Sequence, residues 1–210
     1  ITDAHSGNAA SGKSLPYDSE NDFVPIVQLL RVSFMLIANS EQVPQRRLPE
    51  LVQHANANPG WLTFGSLGPG SPHDVAMAWF KSMAKLDIGR IDYRGLANVM
   101  PDLLAGRVSM CFCNITAVLP LVQEGKLKAL AVTSLNRSPF APDLPTMAES
   151  GFPGFDINPW FGLMAPAGTP GPIIDKLHRE TVRILALPEV REQFAKLAME
   201  PIGNSPSEFA

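Results

Sequence analysis

Short apolar segments alternate along this chain with segments in which apolar residues recur at helical spacing. Residues 61–64 and 108–112 are short, apolar and bounded by turn residues, which is typical of buried strands. Residues 88–93 are predicted as a further short strand between them. Helices are predicted after them, over residues 72–86, 96–104 and 118–122. Strands that alternate with helices and are almost continuously apolar predict an α/β fold with a parallel sheet covered on both faces.

The longest apolar stretch covers residues 23–39, and its β-branched residues favour strand over helix. Because the stretch is too long for one ordinary strand, we expect two strands in tandem, broken near Arg31, that carry the chain from one lobe to another. The remaining elements are predicted as strands at residues 127–133 and 160–165 and as helices that begin near Pro49, Pro172 and Pro188.

The glycine-rich turn at residues 65–71 is the centre of the pattern, because it carries the chain from a predicted strand into a predicted helix. Val75, Trp79 and Met83 recur every four residues, and one face of that helix is therefore predicted to be apolar. The other residues of that face are Ala76, Phe80 and Leu86. Such a turn leaves backbone N–H groups unpaired at the positive end of the helix dipole, which suits a phosphate or a carboxylate. The alternative is that the glycines only form a tight turn and that Ser71 only caps the helix.

The turn does not match the glycine motifs that bind nucleotides. No lysine follows its last glycine, and its glycine order, G-x-x-G-x-G, is the reverse of the dinucleotide fingerprint. A doubly wound α/β enzyme that binds a nucleotide or a phosphorylated substrate at residues 65–71 is nevertheless the alternative function. Ser71, His73 and Asp74 diverge in direction on one helical turn, so we expect no catalytic relay and no catalytic residue.

Three turns, at residues 65–71, 93–95 and 113–116, are expected to open at one edge of the sheet. Each follows a predicted strand and precedes a predicted helix, and ligands of open parallel sheets lie beyond the carboxyl ends of the strands. N–H donors that converge there with little formal charge indicate a site for a small carboxylate. His73 is expected at the helix start as a polar surface or cleft residue.

Composition and charge narrow the function classes. Of the 210 residues, 45% are hydrophobic and 18% are charged, which allows one large domain or two small lobes. The net charge is −3, with 17 basic and 20 acidic residues, so the basic face that non-specific nucleic-acid binding needs is not expected. No apolar run approaches the roughly 18 residues of a membrane span.

Cys111 and Cys113 are the only cysteines, and no histidine lies near them in sequence to complete a zinc site. On a strand their Cα atoms would be about 6.6 Å apart, which is long for a disulfide. We therefore expect two unpaired thiols, one of them lining a cleft. No metal ion and no cofactor are expected.

The two ends of the chain are interpreted as the ends of a fragment. The chain opens at Ile1 and not at a methionine, so the missing signal peptide carries no information about export. Ser205 and Glu208 form a capping-box pattern that predicts a helix, and the sequence stops at Ala210. A fragment that binds nothing and serves only as a scaffold is a third possible function.

Five segments follow one another in a fixed order: LPYDSENDFVPIV, ANPGWLTFGSLGPGSPHDVA, YRG followed by DLLAGRVSMCF, LKALAVTSLNRSPFAPDLPTMAESGFPGF, and WFGLMAPAGTP. Together they resemble the Bug-type receptors, the extracytoplasmic solute-binding proteins of tripartite tricarboxylate transporters. The resemblance runs over essentially all of the chain.

The resemblance implies a two-lobe α/β clamshell, the periplasmic binding protein fold of type II, that closes on one small carboxylated solute. Residues 30–154 are expected to form the second lobe, and residues 1–29 and 155–210 the surviving parts of the first. The resemblance also implies an exported periplasmic monomer that delivers its solute to the membrane subunits of a tripartite tricarboxylate transporter. A family member would carry an opening strand and a glycine-proline loop before Ile1, which this fragment lacks.

The resemblance assigns site residues in the second lobe position by position. The residues that match the family's glycine-rich ligand loop are Ser66, Gly68, Gly70, Ser71 and His73. Tyr93 and Gly95 match a tyrosine-lysine-glycine turn, in which Arg94 replaces the lysine.

Other positions complete the implied site. Trp160 and Phe161 match an aromatic pair that is expected at the cleft floor, and His5 and Asn8 match a histidine and an asparagine of a first-lobe loop. Cys113 stands where many members carry an aspartate that can meet a ligand's amino group. This departure favours a plain carboxylic acid over an amino acid as the ligand.

Overall fold

The computed structural model of the chain describes Ile1, Thr2, His5, Gly7 and residues 15–210. The chain divides into two compact units. The first unit contains residues 1–32 and 159–210, and the second contains residues 33–158. That these units act as the two predicted lobes, 1–29 with 155–210 and 30–154, stays a prediction.

The second unit is an α/β layer structure built on a five-stranded sheet. Its elements are β2 (Phe34–Ala38), α1 (Leu48–Ala57), β3 (Thr63–Ser66), α2 (Pro72–Ala84), β4 (Gly89–Asp92), α3 (Leu96–Leu104), β5 (Met110–Asn114), α4 (Ile115–Gln123) and β6 (Lys128–Val132). The strand order across the sheet is β4-β3-β5-β2-β6. The predicted alternation of strands and helices is confirmed.

A parallel sheet was predicted, but the observed sheet is mixed. β3 pairs in parallel with both β4 and β5, whereas β2 is antiparallel to β5 and β6. β2 follows β1 (Phe23–Arg31) directly, with only Val32 and Ser33 between them, although β1 belongs to the sheet of the first unit. The expectation of two tandem strands broken near Arg31 is confirmed.

α2 buries only part of the predicted apolar face. Ala76 and Phe80 are buried, but Val75 and Trp79 are 49% and 37% exposed. Adjacent helical residues point about 100° apart, and apolar residues cover more than half of the circumference of this helix. The period alone therefore does not fix which stripe faces the sheet. Trp79 instead stacks on the ring of the buried Phe155, with 4.8 Å between the ring centroids.

β3 and β5 each lie two residues further along the chain than predicted. Ser66 pairs with Asp92 across the β3–β4 ladder, and Asn114 pairs with Phe34 across the β5–β2 ladder. Small polar residues therefore continue both strands where the sequence pattern predicts turns. As a consequence, Ser66 and Cys113 belong to the sheet, and α4 begins at Ile115 directly after β5.

The first unit is a three-stranded antiparallel sheet with helices packed against it. Its strands are β1, β7 (Trp160–Pro166) and β8 (Glu200–Pro201), in the order β7-β1-β8, and its helices are α5 (Gly171–Leu185), α6 (Pro188–Lys196) and α7 (Pro206–Phe209). Its core contains Ile26, Val27, Ala165 and Ile174. The capping box predicted from Ser205 and Glu208 is present at the start of α7.

None of the helices within the described ranges combines the length and the apolar character that crossing a membrane requires.

Gly65 brings β3 close to α3, which leads to a stability prediction. A Cβ at this position would lie 2.7 Å from Cγ1 of the buried Val99, so Gly65→Ala is expected to lower the free energy of unfolding by about 1–3 kcal/mol. Urea unfolding followed by circular dichroism measures this loss. Gly89→Ala is the matched control, since its nearest new contact, to Thr63, would be 3.4 Å. Equal losses in the two variants would contradict the close approach.

Candidate functional site

Three helices begin at one edge of the second unit's sheet. β3, β4 and β5 run in the same direction, so their carboxyl ends, at Ser66, Asp92 and Asn114, lie at the same edge. α2, α3 and α4 follow these ends, and the first turn of each helix contains N–H groups that have no partner within the helix. The predicted convergence of the three strand-to-helix connections at one edge is therefore confirmed.

The loop that leads into α2 depends on its glycines. Gly68 and Gly70 have φ angles of 105° and 81°, a region that favours glycine over residues with a Cβ. Ser71 is the N-cap of α2, and its side-chain oxygen accepts a hydrogen bond from the Asp74 N–H at 3.3 Å. Pro72 follows at the first helical position, where its missing N–H costs nothing.

Ser66, which was predicted as a ligand contact, faces inward. The residue is fully buried, and its hydroxyl donates to Oδ2 of Asp74 at 2.8 Å. The same hydroxyl oxygen accepts from the Gly68 N–H at 3.1 Å, and Oδ1 of Asp74 accepts from the Leu67 N–H at 3.1 Å. These bonds hold the start of the loop in place.

Two backbone donors of the loop are left for a ligand. Among the described residues, no acceptor is found for the N–H of Gly70, which is exposed, or for that of His73, which lies in the first turn of α2. The His73 ring packs against the Phe34 ring, with 4.5 Å between the centroids. Burial lowers the pKa of His73, so the neutral imidazole offers one N–H donor and one acceptor.

Sequence reasoning gave Asp74 no role in the site. Its carboxylate lies 3.1 Å from the guanidinium of Arg90, which also donates through Nε to Asp92 at 2.7 Å. Arg90 and Asp92 belong to β4, so this ion-pair network connects the loop to the neighbouring strand. An acidic residue at the third helical position after a serine N-cap is the sequence signal that would have indicated such a role.

The connection from β4 to α3 holds Tyr93 by its hydroxyl. Tyr93 N–H donates to the Ser66 carbonyl at 2.9 Å, and the phenol donates to Asp102 at 2.7 Å. Burial and the Asp102 carboxylate raise the pKa of Tyr93 to about 12, so the hydroxyl stays protonated and bound to α3. Gly95 is the N-cap of α3, and its φ of 165° is extended backbone that other residues also adopt. The polar groups left here are therefore the backbone N–H groups and the exposed side chain of Arg94.

Cys113 does not line a cleft. Cys111 and Cys113 are both free thiols, as predicted, but both are buried in β5. Burial raises the pKa of Cys113, so its thiol is neutral and shielded from a ligand. The expectation that one thiol lines a cleft is wrong, because β5 continues past Cys113 and keeps this side chain in the core.

Asn114 is a polar residue at this edge that sequence reasoning passed over. It is the N-cap of α4, but its side chain makes no capping hydrogen bond. Its Oδ1 is buried and has no hydrogen-bond partner among the described residues. Asn114 pairs with Phe34 in the sheet, and Phe34 contacts His73, so Asn114 lies on the face of the sheet that carries the α2 loop.

The predicted residues of the first unit lie in two places. One ring nitrogen of His5 is 3.2 Å from the Ser19 carbonyl oxygen, and the ring stacks on Tyr17. Trp160 and Phe161 are consecutive in β7 and point to opposite faces, so the predicted aromatic pair does not share one face. Trp160 packs edge-on against Phe209, whereas Phe161 is 41% exposed.

Asn8 lies outside the described residues. Within the described part of the chain, no group of three or more histidine, cysteine, aspartate or glutamate side chains is arranged to hold a metal ion. Ser71, His73 and Asp74 form no relay, because the serine oxygen caps α2 and the carboxylate is bound within the loop.

The fold places the chain among the periplasmic binding proteins. The periplasmic binding protein BugD is 32% identical and superposes with a TM-score of 0.80, covering 98% of this chain and 69% of BugD. The structure of Rpa4515 from R. palustris with adipate is 31% identical, with a TM-score of 0.78 over 94% of this chain and 66% of that one. MatC from Rhodopseudomonas palustris with bound malate is 30% identical, with a TM-score of 0.74 over 93% and 66%.

Within that class, residues 6–210 match the tripartite tricarboxylate transporter family receptor, and the chain belongs to this family. Protein BugT of Bordetella pertussis is 34% identical over 195 residues, which are 93% of this chain and 60% of BugT. The UPF0065 protein in the tcbD-tcbE intergenic region of Pseudomonas sp. (strain P51) is 34% identical over 93% of this chain and 58% of the relative. The chain thus spans about three fifths of the length of these relatives.

The half-buried His73 leads to a pH prediction. Burial lowers the pKa of His73 below its ordinary value of 6.5, so between the two values the unfolded chain binds more protons here than the folded chain. This residue's contribution to the free energy of unfolding is therefore complete above pH 6.5 and is lost as the pH falls through that window. Urea unfolding at pH 7.5 and at pH 5 measures how much free energy of unfolding is lost between the two. We expect this loss to be smaller in His73→Gln than in the unchanged chain. An imidazole pKa at or above 6.5 in an NMR titration would contradict the prediction.

Proposed function

We propose that this chain is the ligand-binding part of a periplasmic receptor that captures a small carboxylic acid. The observation that carries the proposal is the convergence of three helix starts at one sheet edge, in a family whose solved relatives include complexes with adipate and malate. Backbone N–H groups at helix starts are suited to a carboxylate. The Gly70 and His73 N–H groups, which have no partner in the described chain, support the same ligand class.

The proposed contacts in the second unit come from the α2 loop and the two neighbouring helix starts. They are Gly70, Ser71, His73, Gly95 and Asn114, with Tyr93 as the residue that anchors the second connection. Gly68 is assigned to the shape of the loop, because its N–H is bonded to Ser66. Ser66 and Cys113 are fully buried, so we assign them to support and not to direct contact. The side-chain amide of Asn114 adds a neutral N–H donor for an acid oxygen.

The resemblance extends this proposal beyond the second unit. In the proposed mechanism, two lobes close on the solute without chemical change, and His5, Trp160 and Phe161 belong to the lobe formed by the first unit. The receptor then delivers the solute to the membrane subunits of a tripartite tricarboxylate transporter. Closure requires that the closed conformation bind the solute more tightly than the open conformation does. Delivery requires that the membrane partner bind these two conformations with different affinities.

Titration calorimetry with malate, adipate, succinate and citrate tests the proposed ligand class. At least one acid is expected to bind with a Kd of about 1 μM or tighter, and the uncharged succinamide is expected not to bind. Thermal unfolding in the presence of ATP and NAD is the comparison for the enzyme alternative. Stabilisation by a nucleotide together with no heat from any acid would overturn the receptor assignment.

Gly70→Val tests whether the loop touches the acid. The φ of 81° disfavours a β-branched side chain, and the new methyl groups would cover the exposed N–H that we assign to the ligand. We expect affinity to fall at least about 100-fold, since both a charge-assisted hydrogen bond and close approach are lost. Gly60→Val is the matched control, because Gly60 has a φ of 73° and open space around it but lies in the turn before β3. Unchanged affinity in Gly70→Val would remove the loop from the site.

A further inference from the structure

The Asp74 carboxylate lies beneath the ligand loop, where few water molecules reach it. The residue is 8% exposed and occupies the third position of α2. It accepts hydrogen bonds from the Leu67 N–H and the Ser66 hydroxyl, and a carboxylate in the first helical turn also benefits from the helix dipole. These interactions hold the carboxylate in one orientation.

These bonds decide which donors of the loop are available. The Leu67 N–H is turned toward Asp74, and the Gly68 N–H is turned toward the hydroxyl that Asp74 holds. The N–H groups without an acceptor among the described residues are those of Gly70 and His73, which come after the inward-turned pair. The carboxylate thus separates inward-facing donors from those that are open to a ligand.

A negative charge behind a site for acids would oppose binding unless it is balanced. Arg90 balances it in part, with Nη2 at 3.1 Å from Oδ2 of Asp74. The same guanidinium bonds Asp92 at the end of β4, immediately before the connection to α3. One arginine is therefore shared by two carboxylates, so it offsets part of the charge of Asp74 and ties the loop to the second connection of the site.

We propose that Asp74 and Arg90 are positioning residues of the carboxylate site. Asp74 fixes the loop so that the Gly70 and His73 N–H groups face the acid, and Arg90 reduces the negative charge that this leaves behind the site. The balance matters most for a ligand with two negative charges, so the pair sets the preference for dicarboxylates over monocarboxylates. The ligand part rests on the proposed function, whereas the loop part can be measured without any ligand.

Amide hydrogen exchange measured by NMR tests the loop part. In Asp74→Ala, the Leu67 N–H loses its acceptor, and the Ser66 hydroxyl that accepts from the Gly68 N–H loses the carboxylate that holds it. The Leu67 and Gly68 amides are therefore expected to exchange at least about tenfold faster than in the unchanged chain. The Ile115 amide, which bonds the Ser33 carbonyl, should keep its rate and show that the fold is intact. Unchanged exchange of Leu67 would overturn the role of Asp74.

Calorimetry with malate and lactate tests the charge part. Arg90→Gln is expected to weaken malate binding about tenfold and lactate binding only about twofold, with a gap that shrinks as salt is added. The matched control is Arg137→Gln, which removes an exposed ion pair with Glu149 in the same unit and should leave both affinities unchanged. A merely structural role of Arg90 would weaken both acids equally, and that result would overturn the proposal.

The two arms distinguish this proposal from the receptor assignment. If the unchanged chain binds no acid, the proposed function fails and the Arg90 part falls with it, while the exchange rates still decide the role of Asp74. If the chain binds malate and Asp74→Ala binds it equally well with an unchanged Leu67 exchange rate, the receptor assignment stands and this proposal fails.

Discussion

The parallel pairing of β3 with β4 and β5 is the constraint on which the candidate site depends. Parallel strands end at one edge, so α2, α3 and α4 all begin there and direct the positive ends of their dipoles to the same region. A reversal of any one of these strands would move its helix start to the opposite edge. β2 is antiparallel and contributes a different element, the Phe34 ring that supports His73.

The order and type of the elements could be predicted from the sequence because burial on both faces of a sheet leaves continuous apolar runs. The exact ends could not, since Ser66 and Asn114 continue their strands with polar side chains. The sequence pattern also could not show which residues of the apolar face of α2 are buried. Ala76 contributes little to an apolar count but is buried, whereas Trp79 contributes much and is partly exposed over Phe155.

The position of the candidate site could be predicted more fully than the roles of its residues. Resemblance identifies the loop because glycines with positive φ leave a clear sequence signal at Gly68 and Gly70. It does not reveal that Ser66 turns inward, since that depends on Asp74 as its partner. Asn114, and not the predicted Cys113, is the candidate contact in the third connection, because β5 ends two residues later than predicted. Such a shift is decided by backbone pairing across the sheet and not by local composition.

A site built from neutral donors has a consequence for a receptor that must both capture and release its ligand. Hydrogen bonds from backbone N–H groups to a carboxylate are strong when water is excluded and weaken when water returns. A fixed arginine in direct contact would hold an acid more independently of closure. Arg90, which pairs with the loop through Asp74, is also bound to Asp92. Affinity in the proposed receptor then depends on how well the donors are shielded, which couples ligand binding to closure of the lobes and release to their opening.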